Sequence, residues 1–327
     1  MTPPPPPRRS AVPRSASAVP ADLVARVRRG DRAAVARALT VVTEERPGHE
    51  ALSRAFFADS GRAHTVGLCG SPGSGKSSLI NRLVAAARAE GRTVAVLAVD
   101  PTSAFTGGAF LGDRLRIQEH ALDAGVFMRS LATRGMMGGL NATIFAAIHV
   151  LEAAGYGRII VETVGTGQDE VDVAEVVDTV VCVSAPYQGD EFQAMKAGTM
   201  EIGDVFAVNK ADLPEVERAV AMLKDALSLA PRRDGGWAPR VAPVSALSGL
   251  GVPGLCADVE AHRAHLEASG ELAGRRRRQL RRELALVIAR RLTRDAMDRV
   301  TDRHIDMLAG KTSDPVTLGG RLTSGRA

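Results

Sequence analysis

Apolar residues recur along the chain in two rhythms. Short runs rich in Val, Ile, Leu and Ala occur at 65–69, 93–99, 158–161, 179–184, 205–208 and 241–244. Between them, at 77–89, 140–154, 192–198 and 215–229, stretches of helical character intervene. Strands alternating with helices predict an α/β fold, with a doubly wound and mostly parallel sheet. Ligands of such sheets sit at the carboxyl ends of the strands.

The two flanks carry no strand signal. Leu23, Val24, Val27, Val35 and Leu39 stand at helical spacing, broken at Gly30-Asp31, and a second short helix is expected over 48–59. Downstream, Leu280, Leu284, Val287, Ile288 and Leu292 recur at helical spacing opposite Arg275, Arg276, Arg277, Arg278, Arg281 and Arg282. This predicts one or two helices over 271–308 that dock on the main domain or on a second copy. The basic run reads as a solvated helix face rather than a nucleic-acid site, because no aromatics interleave to stack on bases. The organisation expected is a Pro/Arg-rich disordered tail at 1–20, a helical extension at 21–62 and a phosphate-loop domain at 63–256. A C-terminal helical region at 257–310 and a loose tail at 311–327 complete it.

Composition narrows the class. Of 327 residues, 45% are hydrophobic but only 3% aromatic, so the core must be built from Ala, Val, Leu and Ile, as suits a parallel sheet covered by helices. A net charge of +5 fits anionic ligands without pointing to nucleic acid. Cys69, Cys182 and Cys256 form no C-x-x-C pair, which argues against a zinc knuckle or redox dithiol. Cys69 and Cys182 read as small buried hydrophobes of a reduced protein, so a cytoplasmic location is expected, or the mitochondrial matrix if the source is eukaryotic. No run is long enough to span a membrane, and the start lacks a secretory apolar segment. Pro3 to Pro7 cannot form the amphipathic helix of a transit peptide.

The chemistry begins directly after the first strand. Gly70-Ser71-Pro72-Gly73-Ser74-Gly75-Lys76-Ser77 fits G-x-x-x-x-G-K-[ST], followed by Ser78 and a helical run. Glycines let successive N–H groups curl around one phosphate, and the next helix presents its N-terminus to the same anion. Lys76 is expected on the β- and γ-phosphates, and Ser77 on Mg²⁺.

The run 205–208 ends in Asn209-Lys210-Ala211-Asp212. A carboxylate only accepts, so Asp212 matches the N1–H and amine donors of guanine, whereas adenine offers an acceptor at N1. Lys210 would lie along the base and Asn209 would brace the loop. Ser245-Ala246-Leu247, after the last strand, would supply an N–H to guanine O6. The nucleotide expected is GTP or GDP.

Metal and γ-phosphate groups are sought at the other strand ends. Glu162 closes the run 158–161 where many nucleotide hydrolases have Asp, and its carboxylate suits Mg²⁺. Gly165 can bring its N–H to the γ-phosphate. Asp100 and Asp113 are candidates for completing the metal shell or placing the attacking water. The segment 186–196 has the mix of Gly, acids and Lys expected of a nucleotide-responsive loop, with Lys196 a candidate transition-state cation. No Gln follows Gly165 directly, and Gln168 is the nearest, so slow hydrolysis sped up by a partner is expected.

Three runs are more specific than any of these motifs. Asp100-Pro101-Thr102-Ser103-Ala104-Phe105-Thr106-Gly107-Gly108 is followed by Leu111-Gly112-Asp113. Glu162-Thr163-Val164-Gly165-Thr166-Gly167-Gln168-Asp169-Glu170 is the second, and Gly189-Asp190-Glu191-Phe192-Gln193-Ala194-Met195-Lys196-Ala197-Gly198 the third. Together they resemble the MeaB/ArgK family, GTPase chaperones of methylmalonyl-CoA mutase and related acyl-CoA mutases. The resemblance spans about Leu23 to Val300; Ala104 stands where Pro is commoner. It implies a homodimeric GTPase that protects a B12-dependent mutase and gates adenosylcobalamin loading, with the C-terminal helices serving dimerisation. It also implies Ser77, Asp100, Asp113 and Glu162 around Mg²⁺, and a switch at 186–196 facing the mutase. Neither nucleic acid nor membrane is an expected partner. The alternatives are a metal-insertion GTPase, which normally carries a Cys or His cluster, a non-enzymatic nucleotide-gated adaptor, and an arginine/ornithine transport kinase.

Overall fold

The structure is a computed structural model of the chain. It describes residues 21–100, 120, 122–132, 142–163, 171–186, 199–229 and 236–324. Three helices come first: α1 (Ala21–Arg28), α2 (Arg32–Thr43) and α3 (His49–Phe57). The break expected at Gly30-Asp31 is real. Gly30 takes φ +74, and the Asp31 carboxylate caps α2 by accepting from the Ala33 and Ala34 N–H groups at 3.0 and 3.1 Å.

The central domain runs β1 (His64–Cys69), α4 (Lys76–Ala89), β2 (Val94–Asp100), β3 (Val126–Ala132), α5 (Ala142–Ala153) and β4 (Arg158–Thr163). It continues through β5 (Thr179–Ser184), α6 (Thr199–Ile202), β6 (Val205–Val208), α7 (Val216–Ser228) and β7 (Arg240–Pro243). The strands form one seven-stranded sheet in the order β3-β2-β4-β1-β5-β6-β7, parallel at every pairing. Every residue of β1 and β6 is buried, as strands covered on both faces must be. One apolar cluster joins the sheet to α1, α2, α3 and α5, and the other joins it to α4 and the helix after β7.

β3 is an addition to the strands read from the sequence. The C-terminal part comprises α8 (Val252–Ser269), α9 (Glu271–Met297), α10 (Asp302–Ala309) and α11 (Pro315–Ser324). α8 packs on the sheet, with Leu255, Val259 and Leu266 buried, and residue 256 lies inside this helix rather than between elements. The segment from 311 on, expected to be loose, contains α11, whose Leu318 is buried.

The basic run is only partly a solvated face. Arg275 forks onto both carboxylate oxygens of Asp204 at 2.8 Å, and Arg276 bonds Asp178 and the Gly61 and Ala63 carbonyls. Asp178 and Asp204 stand just before β5 and β6 and are almost wholly buried. These ion pairs pin the start of α9 to the sheet edge opposite the phosphate loop, whereas Arg277 and Arg278 are exposed. α9 buries no residue fully, and Leu284, Ile288 and Leu292 remain about half exposed. Cys69 and Cys182 are register partners on β1 and β5, buried as expected, with their sulfurs 3.4 Å apart.

Candidate functional site

β1 delivers the phosphate loop to the middle of the sheet, at the carboxyl edge beside β4 and β5. The strand ends at Gly70 with φ +133, where a Cβ would collide with the Val183 carbonyl of β5, so only glycine lets the chain leave here. Gly75 takes φ +92 and opens α4 without a side-chain cap, leaving first-turn N–H groups for an anion. Its missing Cβ makes room for the Asn209 amide. Lys76 is the first residue of α4 and is buried; its ammonium donates to the Gly70 carbonyl and, at 3.1 Å, to that of Ser71. The ammonium therefore lies over the loop, while the Ser74 N–H turns back to the Ser71 carbonyl at 3.2 Å.

One residue on, Ser77 Oγ donates to Glu162 Oε1 at 2.6 Å. Glu162 is buried on β4 in register with Leu68 of β1, two residues before Gly70. A hydroxyl and a carboxylate thus share one spot at the start of the phosphate-loop helix. Both are hard oxygen donors, and a magnesium site takes one or two such protein oxygens, the rest coming from phosphates and water. The residues fit the ion. Among the described residues no group of three or more His, Cys, Asp or Glu gathers for a metal. Ser78 points to the exposed side of the helix.

The guanine motif is built at the end of β6. Asn209 is buried and bridges two loops: Nδ2 donates to the Ser74 carbonyl at 2.7 Å, and Oδ1 accepts from the Ala246 N–H at 3.0 Å. Lys210 takes φ +64, a left-handed conformation uncommon for a residue with a Cβ, and the Ala211 N–H then returns to the Val244 carbonyl at 2.9 Å. Ser245 is fully buried and donates from Oγ to Asp212 Oδ1 at 2.6 Å. That hydrogen bond, first, holds the Asp212 carboxyl below the usual carboxylate range, so it is an anionic acceptor at neutral pH. The Ser248 N–H closes the loop on Ser245 Oγ at 3.2 Å, while Leu247 is exposed.

Gly70, Ser71, Pro72, Gly73, Ser74, Gly75, Lys76 and Ser77 are thus joined with Glu162, Asn209, Lys210, Asp212, Ser245, Ala246 and Leu247 along one edge of the sheet. Asp100 ends β2 on the same edge, described in its backbone. Asp113, Gly165 and Lys196 lie outside the described residues, as do Gln168 and 187–196. One contact was not legible in any motif. Arg82, on α4, donates from Nε to the Ala246 carbonyl at 2.8 Å and from Nη2 to that of Leu247 at 2.5 Å.

Residues 35–301 match the family model described as methylmalonyl Co-A mutase-associated GTPase MeaB. The chain belongs to the MeaB family. A putative GTPase of Pyrococcus horikoshii is 42% identical over 298 residues, covering 90% of this chain and 94% of the relative. The GTPase ArgK of Escherichia coli is 36% identical over 266 residues, covering 79% and 80%. A crystal structure of LAO/AO transport system kinase superposes with a TM-score of 0.67 at 29% identity, covering 93% of this chain and 96% of that one. As a MeaB-family protein, the chain is a GTPase on a phosphate-loop fold. Among the described residues no helix is long and apolar enough to cross a membrane.

Proposed function

We propose that this GTPase hydrolyses GTP with Mg²⁺ at the Lys76–Asp212 edge, and that the cycle serves an adenosylcobalamin-dependent acyl-CoA mutase of the methylmalonyl-CoA type. The observation that carries the mutase reading is the match of 35–301 to a family named for association with that enzyme. In this reading the loop N–H groups and Lys76 bind the triphosphate, and Asp212 sorts the base. Ser77 and Glu162, already 2.6 Å apart, hold the magnesium ion. When bound, the ion supplies charge neutralisation across the β- and γ-phosphates. Asp100 and Asp113 complete its shell or place the attacking water, the Gly165 N–H meets the γ-phosphate, and Lys196 stabilises transferring charge. The segment 186–196 reports the nucleotide state to the mutase, and the cycle gates cofactor loading and protects the partner.

The protein acts as a homodimer in the cytoplasm, with the half-exposed Leu284, Ile288 and Leu292 of α9 as the apolar material for self-association. The test is GTP turnover by the full chain with and without the purified mutase. Turnover that rises with mutase supports the reading, and turnover indifferent to saturating mutase contradicts it. The name of the similar crystal structure favours a second reading, phosphoryl transfer to a transport component. Label from γ-³²P-GTP that appears on an acceptor protein rather than as free phosphate would select it.

A further inference from the structure

The phosphate-loop helix reaches the base-reading loop through a side chain that no nucleotide motif contains. α4 begins with Lys76 and Ser77, and Arg82 stands less than two turns further along the same rigid element. Its guanidinium forks onto two successive carbonyls, Ala246 at 2.8 Å and Leu247 at 2.5 Å. Each carbonyl shares a peptide unit with the next residue's N–H. The Ala246 carbonyl therefore fixes the plane of the Leu247 N–H, and the Leu247 carbonyl fixes that of the Ser248 N–H. The second plane leads to Asp212 in two steps. Ser248 N–H donates to Ser245 Oγ at 3.2 Å, and Ser245 Oγ–H donates to Asp212 Oδ1 at 2.6 Å.

We propose that Arg82 is a positioning residue for guanine selectivity, setting the 245–248 loop and, through Ser245, the carboxylate that reads the base. It touches no nucleotide atom in this role. Its planar fork is what the geometry uses: two carbonyls at once, fixed in relative orientation, with a positive charge that polarises both peptide units toward stronger N–H donation. Asn209 ties the same loop to the phosphate loop from inside, and Arg82 ties it to the helix from outside. Two independent tethers thus fix the spacing between the phosphate-binding and base-binding ends of the site. The inference rests on the guanine-nucleotide reading of that site.

The experiment compares wild type, Arg82→Ala and Arg82→Lys as full chains, titrated with fluorescent GDP and by competition with IDP, which lacks the 2-amine that Asp212 accepts from. Arg82→Ala is expected to weaken GDP binding on the order of tenfold and IDP binding distinctly less, so the IDP-to-GDP Kd ratio falls toward one. Arg82→Lys, able to reach one carbonyl, is expected to restore part of that ratio. Thermal melting of the free protein is read in parallel. Equal loss of GDP and IDP, accompanied by a lower Tm, would assign Arg82 a merely structural part and overturn the proposal. So would a wild-type ratio in Arg82→Ala. Failure of the wild type to bind GDP would instead overturn the nucleotide reading itself, a result distinct from any difference between variants.

Discussion

Replacing Asp212 with Asn should invert the base preference, and the structure says which way the new amide faces. Ser245 Oγ–H donates to Asp212 Oδ1 at 2.6 Å, and the Ser248 N–H already occupies Ser245 as an acceptor. Ser245 is fully buried, so its proton has little freedom to find water. In Asp212→Asn the amide oxygen must therefore keep the Ser245 bond, which turns the NH₂ toward the base. An NH₂ facing the guanine N1–H and 2-amine sets donor against donor, while xanthine presents a carbonyl at that carbon. Two charge-assisted hydrogen bonds are lost at roughly 1.5–3 kcal/mol each. That corresponds to a fall of about 10² to 10⁴ in GTP kcat/KM. The assay is steady-state hydrolysis of GTP and XTP by both proteins. Wild type should prefer GTP and the variant XTP. A variant that keeps its GTP-over-XTP preference would refute both the base-reading role and the orientation argument.

Two further outcomes follow from the same geometry. Asn209→Ala removes the bridge between Ser74 and Ala246 and orphans a buried carbonyl and N–H. It should cost about 2–4 kcal/mol of stability by urea denaturation and weaken GDP at least tenfold; a loss under about 0.5 kcal/mol would contradict the bridge. Glu283 faces His149 at 3.7 Å beneath α9, and burial pushes its carboxyl up to about 7 while holding the His149 imidazole down at about 4. A raised folded pKa on an acid means the folded state resists ionisation. Its penalty is absent below the unfolded pKa near 4.5 and complete above about 7. Glu283→Gln should therefore stabilise the protein by about 1–2 kcal/mol at pH 8, with the gain vanishing by pH 4.5. Equal unfolding midpoints at pH 8 would exclude a buried charge there.

Much of the sheet could be read from apolar runs because its strands are buried on both faces and carry little else. β3 escaped because Arg129 and Ser130 interrupt its apolar residues, yet it pairs with β2 over its whole length. α11 escaped because its glycines and polar residues advertise a turn, whereas one buried leucine and contact with α9 suffice to order it. The phosphate loop and the Asn209–Asp212 motif were legible because each is local; the loop's backbone demands are met by glycines at fixed offsets, whereas the left-handed turn at Lys210 has no glycine to announce it. Ser77, at the start of α4, and Glu162, near the carboxyl end of β4, were each read as metal candidates; that their side chains meet at 2.6 Å is a tertiary fact that neither motif states. What stayed hidden is tertiary. Nothing local in the Arg-rich run tells Arg275, committed to Asp204, from its exposed neighbour Arg277. Nor does a helical Arg82 disclose that it will meet a loop more than 160 residues away.

In the proposed reading, one edge of this sheet grips a guanine nucleotide by its phosphates and its base. Isothermal titration of the full chain with GDP and with ADP in Mg²⁺, repeated on Lys76→Ala, measures this directly. One GDP should bind per chain, with no detectable ADP binding, and Lys76→Ala should lose GDP binding while keeping its circular dichroism spectrum. Comparable affinities for GDP and ADP, or wild-type GDP affinity in Lys76→Ala, would contradict that reading.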